Sequence, residues 1–135
     1  MFRRIGSVVL GLLMGVFVVA AGEMVGHALW PPPPGLDATN PEHLARLMQE
    51  IPKAALVAVV VSWALGAFAG GAVAARVGKS IGPAIIVGVI LLAAGVMTMI
   101  QIPHPAWMWA CGVLVPIPAA WLGARLALPR PAQAA

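Results

Sequence analysis

Glu23 and His27 carry the clearest chemical potential in this sequence, because both are ionisable and both stand inside a long apolar segment. Their spacing of four residues places them on one face of a helix. A third candidate, His104, lies between two prolines in the turn that separates two later apolar runs. A carboxylate with two imidazole rings can relay protons, or hold a divalent metal through oxygen and nitrogen ligands.

The same three residues also have a structural explanation. Glu23 lies about two helical turns from the end of its apolar segment, where it could pair with His27 or Lys53 and orient the helices. His104 precedes a proline and can mark the start of the following helix. Anchoring, ion or proton handling, and metal binding are therefore three open interpretations of these side chains.

Known catalytic signatures are missing from the sequence. It has no H-E-x-x-H, G-x-S-x-G, C-x-x-C, P-loop or glycine-rich dinucleotide motif. We therefore expect a protein that is not an enzyme and that binds no cofactor. Met97, Met99 and Met108 are dispersed, which favours packing over a copper pathway, and a single cysteine excludes an internal disulfide.

The composition indicates a chain whose main solvent is lipid. Hydrophobic residues make up 61% of the 135 residues and charged residues only 9%, and the mean hydropathy is +0.98. Soluble domains carry about 25% charged residues, so there is too little charge here to cover a water-exposed surface. The net charge of +4 comes from dispersed basic residues rather than from one basic face, so we expect no nucleic-acid partner.

Four apolar segments are long enough to cross a hydrocarbon core, which takes about 20 helical residues. We predict an all-α membrane protein, one four-helix transmembrane domain over residues 1–135, with spans at about 5–29, 54–75, 83–102 and 106–126. The first segment also resembles a cleavable leader, but its apolar run is longer than usual, which favours a retained helix. Pro116 and Pro118 should kink the fourth span.

The basic residues that flank the spans predict the orientation. Six of them would fall on one side, at positions 3, 4, 76, 79, 125 and 130, and two on the other, at positions 46 and 53. The basic side is expected to be cytoplasmic. We therefore predict that both termini are cytoplasmic, with the loop at residues 30–53 on the outer side together with Glu23, His27 and His104.

The outer loop should contain a short amphipathic helix. Asn40 is placed as its N-cap and Pro41 at its first position, with Glu42 near the positive end of the helix dipole. Apolar residues then recur at helical spacing from Leu44 to Ile51. This helix could lie on the membrane surface or pack against the tops of the spans.

Glycines at helical spacing indicate faces on which helices approach closely. The residues predicted to pack in this way are Gly11, Gly15, Gly22, Gly26, Gly66, Gly70, Gly88 and Gly95. Packing within one chain is favoured, although a homo-oligomer or a larger membrane complex would use the same faces. Three indoles near the outer boundary, Trp30, Trp107 and Trp109, are predicted to anchor the protein at headgroup depth.

Three segments together resemble a widespread group of small uncharacterised four-span bacterial inner-membrane proteins. They are E-x-x-G-H-x-x-W-P-P-P-P-G at residues 23–35, W-A-L-G-A-x-x-G-G at 63–71 and I-P-H-P-x-W at 102–107. The resemblance implies a location in a bacterial cytoplasmic membrane and brings no activity or ligand with it.

These observations favour a non-enzymatic accessory or structural membrane component whose partner is the lipid bilayer. The main alternative is a small transporter or a protein that handles ions or protons at Glu23 and His27. A metal-binding membrane protein that uses Glu23, His27 and His104 is a further alternative.

Overall fold

The computed structural model describes residues 2–31, 33–35 and 40–129, and over these residues the chain is all-α. Its helices are α1 (Phe2–Leu29), α2 (Pro41–Glu50), α3 (Lys53–Gly78), α4 (Gly82–Gln101), α5 (Ala106–Leu114) and α6 (Pro116–Ala127). Four segments are long and apolar enough to cross a membrane, namely α1, α3, α4 and the pair α5–α6. The predicted four-span architecture is confirmed.

The predicted span boundaries agree with the helix ends to within three residues. The largest differences are at the start of α1 and the end of α3, which both extend further toward the basic flanks. α3 is capped by the following residue, Lys79, which adopts a left-handed conformation with φ of 55° and donates its backbone N–H to the carbonyl of Ala75. Pro83 stands in the first turn of α4, where its missing N–H costs no helix hydrogen bond.

The short helix α2 forms as its sequence predicts. The Asn40 side chain accepts a hydrogen bond from the backbone N–H of Glu42 at 3.0 Å, and Pro41 occupies the first turn. No Cα atom of α2 lies within 8 Å of a Cα atom of another described helix. α2 therefore meets the rest of the protein through its side chains alone.

The fourth span is divided at Val115, between α5 and α6. Pro116 and Pro118 have no N–H to donate to the carbonyls of Gly112 and Leu114, so two helix hydrogen bonds are lost at this point. Hydrogen bonds from Val115 to Cys111 and from Ala119 to Val115 keep the two halves joined. The helix is thus interrupted where the two prolines predict a disturbance.

α3 is the central helix of the bundle and contacts α1, α4 and α6. Its contact with α1 consists of backbone and small side chains. A Cβ atom at Gly11 would lie 2.7 Å from the carbonyl oxygen of Gly70, and one at Gly15 would lie 3.1 Å from the carbonyl oxygen of Gly66. Gly22 faces the side chain of Ser62. Only glycine allows the helices to come this close.

α6 packs against α3 and α4 by the same means. A Cβ atom at Gly71 would collide with the backbone of Ala120, one at Gly123 would collide with the carbonyl of Phe68, and Gly88 faces Pro116 and its neighbours in α6. At the inner end of the bundle, the end that carries the basic flanks, Ala75, Ala84 and Ala124 are fully buried. Small residues therefore make up the core in place of large apolar side chains.

Large apolar side chains lie on the outside of the bundle. Leu13, Phe17 and Leu65 are each more than half exposed. A surface of this kind is unfavourable in water and favourable against acyl chains, because lipid is as apolar as the side chains themselves. The distribution fits an integral membrane protein.

Candidate functional site

A cavity of about 310 Å³ lies between the outer ends of the helices, the ends near Trp30 and His104. We call it the outer cavity. Its polar and aromatic lining residues are Glu23, His27, Trp30, Trp63, Thr98 and His104. The apolar side of α2 covers it with Leu44, Leu47, Met48 and Ile51. All three ionisable residues singled out in the sequence therefore line one cavity, and α2 lies over the spans.

Glu23 is half-buried in the wall of the outer cavity. Within residues 2–31, 33–35 and 40–129, no hydrogen bond or ion pair joins its carboxylate to another group. The expected pairing with His27 or Lys53 is thus not formed in the described part of the chain. Glu23 thus lines the cavity in a segment where a charge without a partner is unfavourable.

His104 is held in position by its own loop. Its Nδ1 atom lies 2.7 Å from the carbonyl oxygen of Ile102. A carbonyl oxygen only accepts hydrogen bonds, so Nδ1 carries the proton, and Nε2 of the neutral ring is an acceptor. The ring centroid lies 6.2 Å from that of Trp63, with the planes inclined at 52°. His27 is more exposed than Glu23 and His104.

The structure does not bring the three ionisable residues Glu23, His27 and His104 within reach of one metal ion. Among the described residues, no group of three or more His, Cys, Asp or Glu side chains stands close enough to hold one metal ion. Sharing a cavity wall is a weaker condition than meeting at the distance of about 2.0–2.2 Å that zinc requires from nitrogen and oxygen ligands. The spacing of Glu23 and His27 fixes a common helix face, and it cannot fix how far His104 lies from that face.

A second cavity of about 320 Å³ lies deeper in the membrane and shares Glu23, Trp63 and Thr98 with the outer cavity. We call it the inner cavity. Its other lining residues are small or apolar, namely Val16, Val19, Ala20, Leu91, Ala94, Gly95, Gly112 and Pro116. Glu23 therefore stands in the wall common to a polar cavity and an apolar one.

Gly112 in α5 lies close to Met99 and Trp63 at the wall of the inner cavity. A Cβ atom at Gly112 would lie 2.7 Å from Cε of Met99 and 3.1 Å from Cζ3 of Trp63. Met99 and Met108 are buried, as expected for packing residues, while Met97 is exposed. Below this level the glycine contacts between α1 and α3 close the bundle.

The two predicted packing glycines that do not meet another helix line these cavities. A Cβ atom at Gly26 or at Gly95 would have nothing within 4 Å. Gly26 belongs to the outer cavity and Gly95 to the inner cavity. Because Gly26 and Gly95 lie on glycine-rich helix faces, the sequence predicts that they contact another helix. In the structure they face a cavity and no neighbouring helix.

The predicted indole anchors lie in two different settings. Trp30 lines the outer cavity with its side chain half-buried, whereas Trp107 is 39% exposed at the start of α5. Trp109 is half-buried in the same helix. Sequence reasoning missed Trp63 and Thr98 as cavity residues, since neither shares a spacing with Glu23 that would point to a common site.

Comparisons of the chain with protein-family models, with curated proteins and with solved structures find no match. The site must therefore be interpreted from its own geometry. The resemblance to small four-span bacterial membrane proteins stays a prediction.

Proposed function

We propose that this protein is a non-enzymatic accessory component of a bacterial cytoplasmic membrane that receives a small molecule or ion from the outer side, in the cavity lined by Glu23, His27 and His104. One observation carries the proposal. Glu23 lines a cavity from within a candidate membrane span, and its carboxylate has no partner in the described part of the chain.

If Glu23 anchored the helices, its carboxylate would need a partner that neutralises the charge. A carboxylate in a span is usually paired with a cation or a hydrogen-bond donor, because desolvation of an unpaired charge is unfavourable. Here the nearest candidates on the sequence, His27 and Lys53, make no ion pair with it. Binding a donor that arrives from outside accounts for this arrangement better than anchoring.

The direction of access follows from the charge asymmetry of the sequence. Six basic residues flank the spans on one side and two on the other, which supports cytoplasmic termini and an outer position for α2. In that orientation, the outer cavity faces away from the cytoplasm. We therefore propose that solutes reach Glu23 by passing α2.

The proposal is tested by cysteine labelling in intact cells. In a Cys111→Ser background, a cysteine at position 27 should react with a membrane-impermeant maleimide added from outside, and one at position 76 should react only after the cells are opened. Labelling at position 76 in intact cells, or none at position 27, would reject the outward-facing cavity.

Recovery of one reproducible membrane complex in a mild-detergent pulldown would support the accessory role, and a consistently monomeric, partner-free protein would count against it.

Transport is a second candidate, and the shared position of Glu23 favours it. The two cavities extend along α1 from Trp30 to Val16, which corresponds to about 21 Å at 1.5 Å per residue. In proteoliposomes, a proton or cation flux that disappears in the Glu23→Gln variant would support transport. An equal flux in both proteins would exclude a pathway through Glu23.

A further inference from the structure

We propose that the outer and inner cavities together bind an amphiphilic organic ammonium ion, with its N–H groups at Glu23 and its apolar body in the inner cavity. This inference rests on the proposed function and names the class of molecule that the site takes. It follows from three properties of the cavity walls, which are the kind of polar atom they present, their charge, and the shape of their apolar part.

Thr98 and His104 offer hydrogen-bond acceptors beside Glu23 in the cavity walls. The hydroxyl of Thr98 donates to the carbonyl of Ala94 at 3.1 Å, which leaves its oxygen as an acceptor toward the cavities. His104 has its proton on Nδ1 and presents Nε2 as an acceptor. A bound molecule that supplies donors can satisfy these acceptors, and an ammonium group supplies up to three donors.

The break in the fourth span adds a further acceptor. Pro116 has no N–H for the carbonyl oxygen of Gly112, and both residues line the inner cavity. A backbone carbonyl without its helix donor is unfavourable at membrane depth unless another donor reaches it. An N–H-bearing molecule in the inner cavity can satisfy this group as well as Glu23.

The charge of the site also selects a cation. Glu23 is the one acidic residue among the described lining residues of the two cavities, and no lysine or arginine lines either of them. A carboxylate partly removed from water binds a cation more strongly than a surface carboxylate does. Trp63 borders both cavities, and an indole ring near a bound cation favours the same charge where the cation lies over its face.

The apolar part of the site extends from Glu23 toward the bilayer. Val16 is 57% exposed and lines the inner cavity together with Leu91 and Ala94 of α4, so this cavity borders a face of the bundle that lipid would cover. The polar outer cavity lies on the other side of Glu23. A molecule with one charged end and one apolar end matches this arrangement, because each end meets the environment that stabilises it.

The experiment uses the full chain in nanodiscs of zwitterionic lipid, with empty nanodiscs as the background, and calorimetry or saturation-transfer NMR as the readout. The probes are 2-phenylethylammonium, its neutral analogue 2-phenylethanol, and the trimethylated ammonium, which keeps the charge and loses every N–H group. We expect 2-phenylethylammonium to bind at least about tenfold more tightly than 2-phenylethanol, and also more tightly than the trimethylated ammonium.

Two variants locate the binding. Glu23→Gln should abolish the preference for the ammonium over the alcohol. Gly95→Leu should lower the affinity for both the ammonium and the alcohol, because the new side chain would occupy the inner cavity. A Cβ atom at Gly95 meets no neighbour within 4 Å there. Gly6→Leu is the matched control, since position 6 is equally open and lies outside both cavities.

Equal affinity for the ammonium and the alcohol in the unmodified protein would overturn the inference, and so would an ammonium preference that persists in Glu23→Gln. Neither result bears on the outward access of position 27. A labelled position 27 with no ammonium preference thus rejects the ligand class and leaves the proposed function standing. If Glu23→Gln does not fold, the comparison of probes on the unmodified protein and on Gly95→Leu still decides the question.

Discussion

Gly11 and Gly70 lie against each other so closely that neither position has room for a side chain. A Cβ atom at Gly11 would lie 2.7 Å from the carbonyl oxygen of Gly70, and a Cβ atom at Gly70 would lie 2.6 Å from the carbonyl oxygen of Gly11. The contact is reciprocal and involves backbone atoms on both sides. No change of rotamer can relieve an added side chain here.

Gly11→Leu should therefore destabilise the protein strongly. The new side chain must push α1 away from α3, and overpacking of this kind costs about 1–3 kcal/mol or more. Thermal unfolding in detergent measures the effect. Gly6→Leu on the same helix is the control, because a Cβ atom there meets nothing within 4 Å. Similar melting temperatures for the two variants would show that the close contact does not stabilise the fold.

Glu23→Gln should leave the melting temperature unchanged or raise it. Glu23 has no partner in the described part of the chain, so neutralising it removes an unfavourable charge without breaking an ion pair. The anchoring interpretation requires the opposite result. A clear loss of stability in Glu23→Gln, measured beside the exposed Gln101→Ala variant, would restore that interpretation.

Zinc should not bind in a way that needs both His27 and His104. The described residues contain no group of three metal-binding side chains close enough to share an ion, and two imidazoles alone leave a four-coordinate zinc site incomplete. Calorimetric titration of the unmodified protein and of His104→Ala should give matching isotherms. Saturable zinc binding that disappears in His104→Ala would show that the site closes around metal.

Asn40→Ala should loosen α2 without affecting the spans. The substitution removes the hydrogen bond to the backbone N–H of Glu42 at 3.0 Å, and loss of such a cap costs about 1 kcal/mol. Since α2 contacts the spans through side chains alone, we expect faster amide hydrogen exchange over residues 41–50 and unchanged exchange in α3. Gln49→Ala, an exposed change in the same helix, is the control. Equal exchange in both variants would mean that the cap does not stabilise α2.

Helix positions could be predicted from the sequence because lipid imposes a simple condition. A span must be apolar over about 20 residues and must satisfy its own backbone hydrogen bonds, so the apolar runs and the prolines define its ends. The cap at Asn40 and the break before Pro116 were predictable for the same reason, since each depends on local chemistry. The agreement within three residues at the helix ends reflects this.

The positions of the cavities could not be predicted from the sequence. Gly22 and Gly26 have the same spacing pattern on α1, yet Gly22 meets Ser62 and Gly26 meets no other helix. The difference depends on how far neighbouring helices extend and where they diverge, which no local pattern encodes. Trp63 could not be identified as a cavity residue for the same reason, because its place in the lining depends on how the neighbouring helices are arranged.

The division of the fourth span at Val115 also has a mechanical consequence. α6 is held against α3 by glycine contacts at Gly71 and Gly123, whereas α5 packs mainly on α4. Because the two hydrogen bonds missing at Pro116 and Pro118 normally resist bending, the bending stiffness of the span is lowest between these halves. We therefore expect the fourth span to bend most easily at Val115, so that movement of α5 would change the width of the cavities around Glu23 while α6 stays packed against α3.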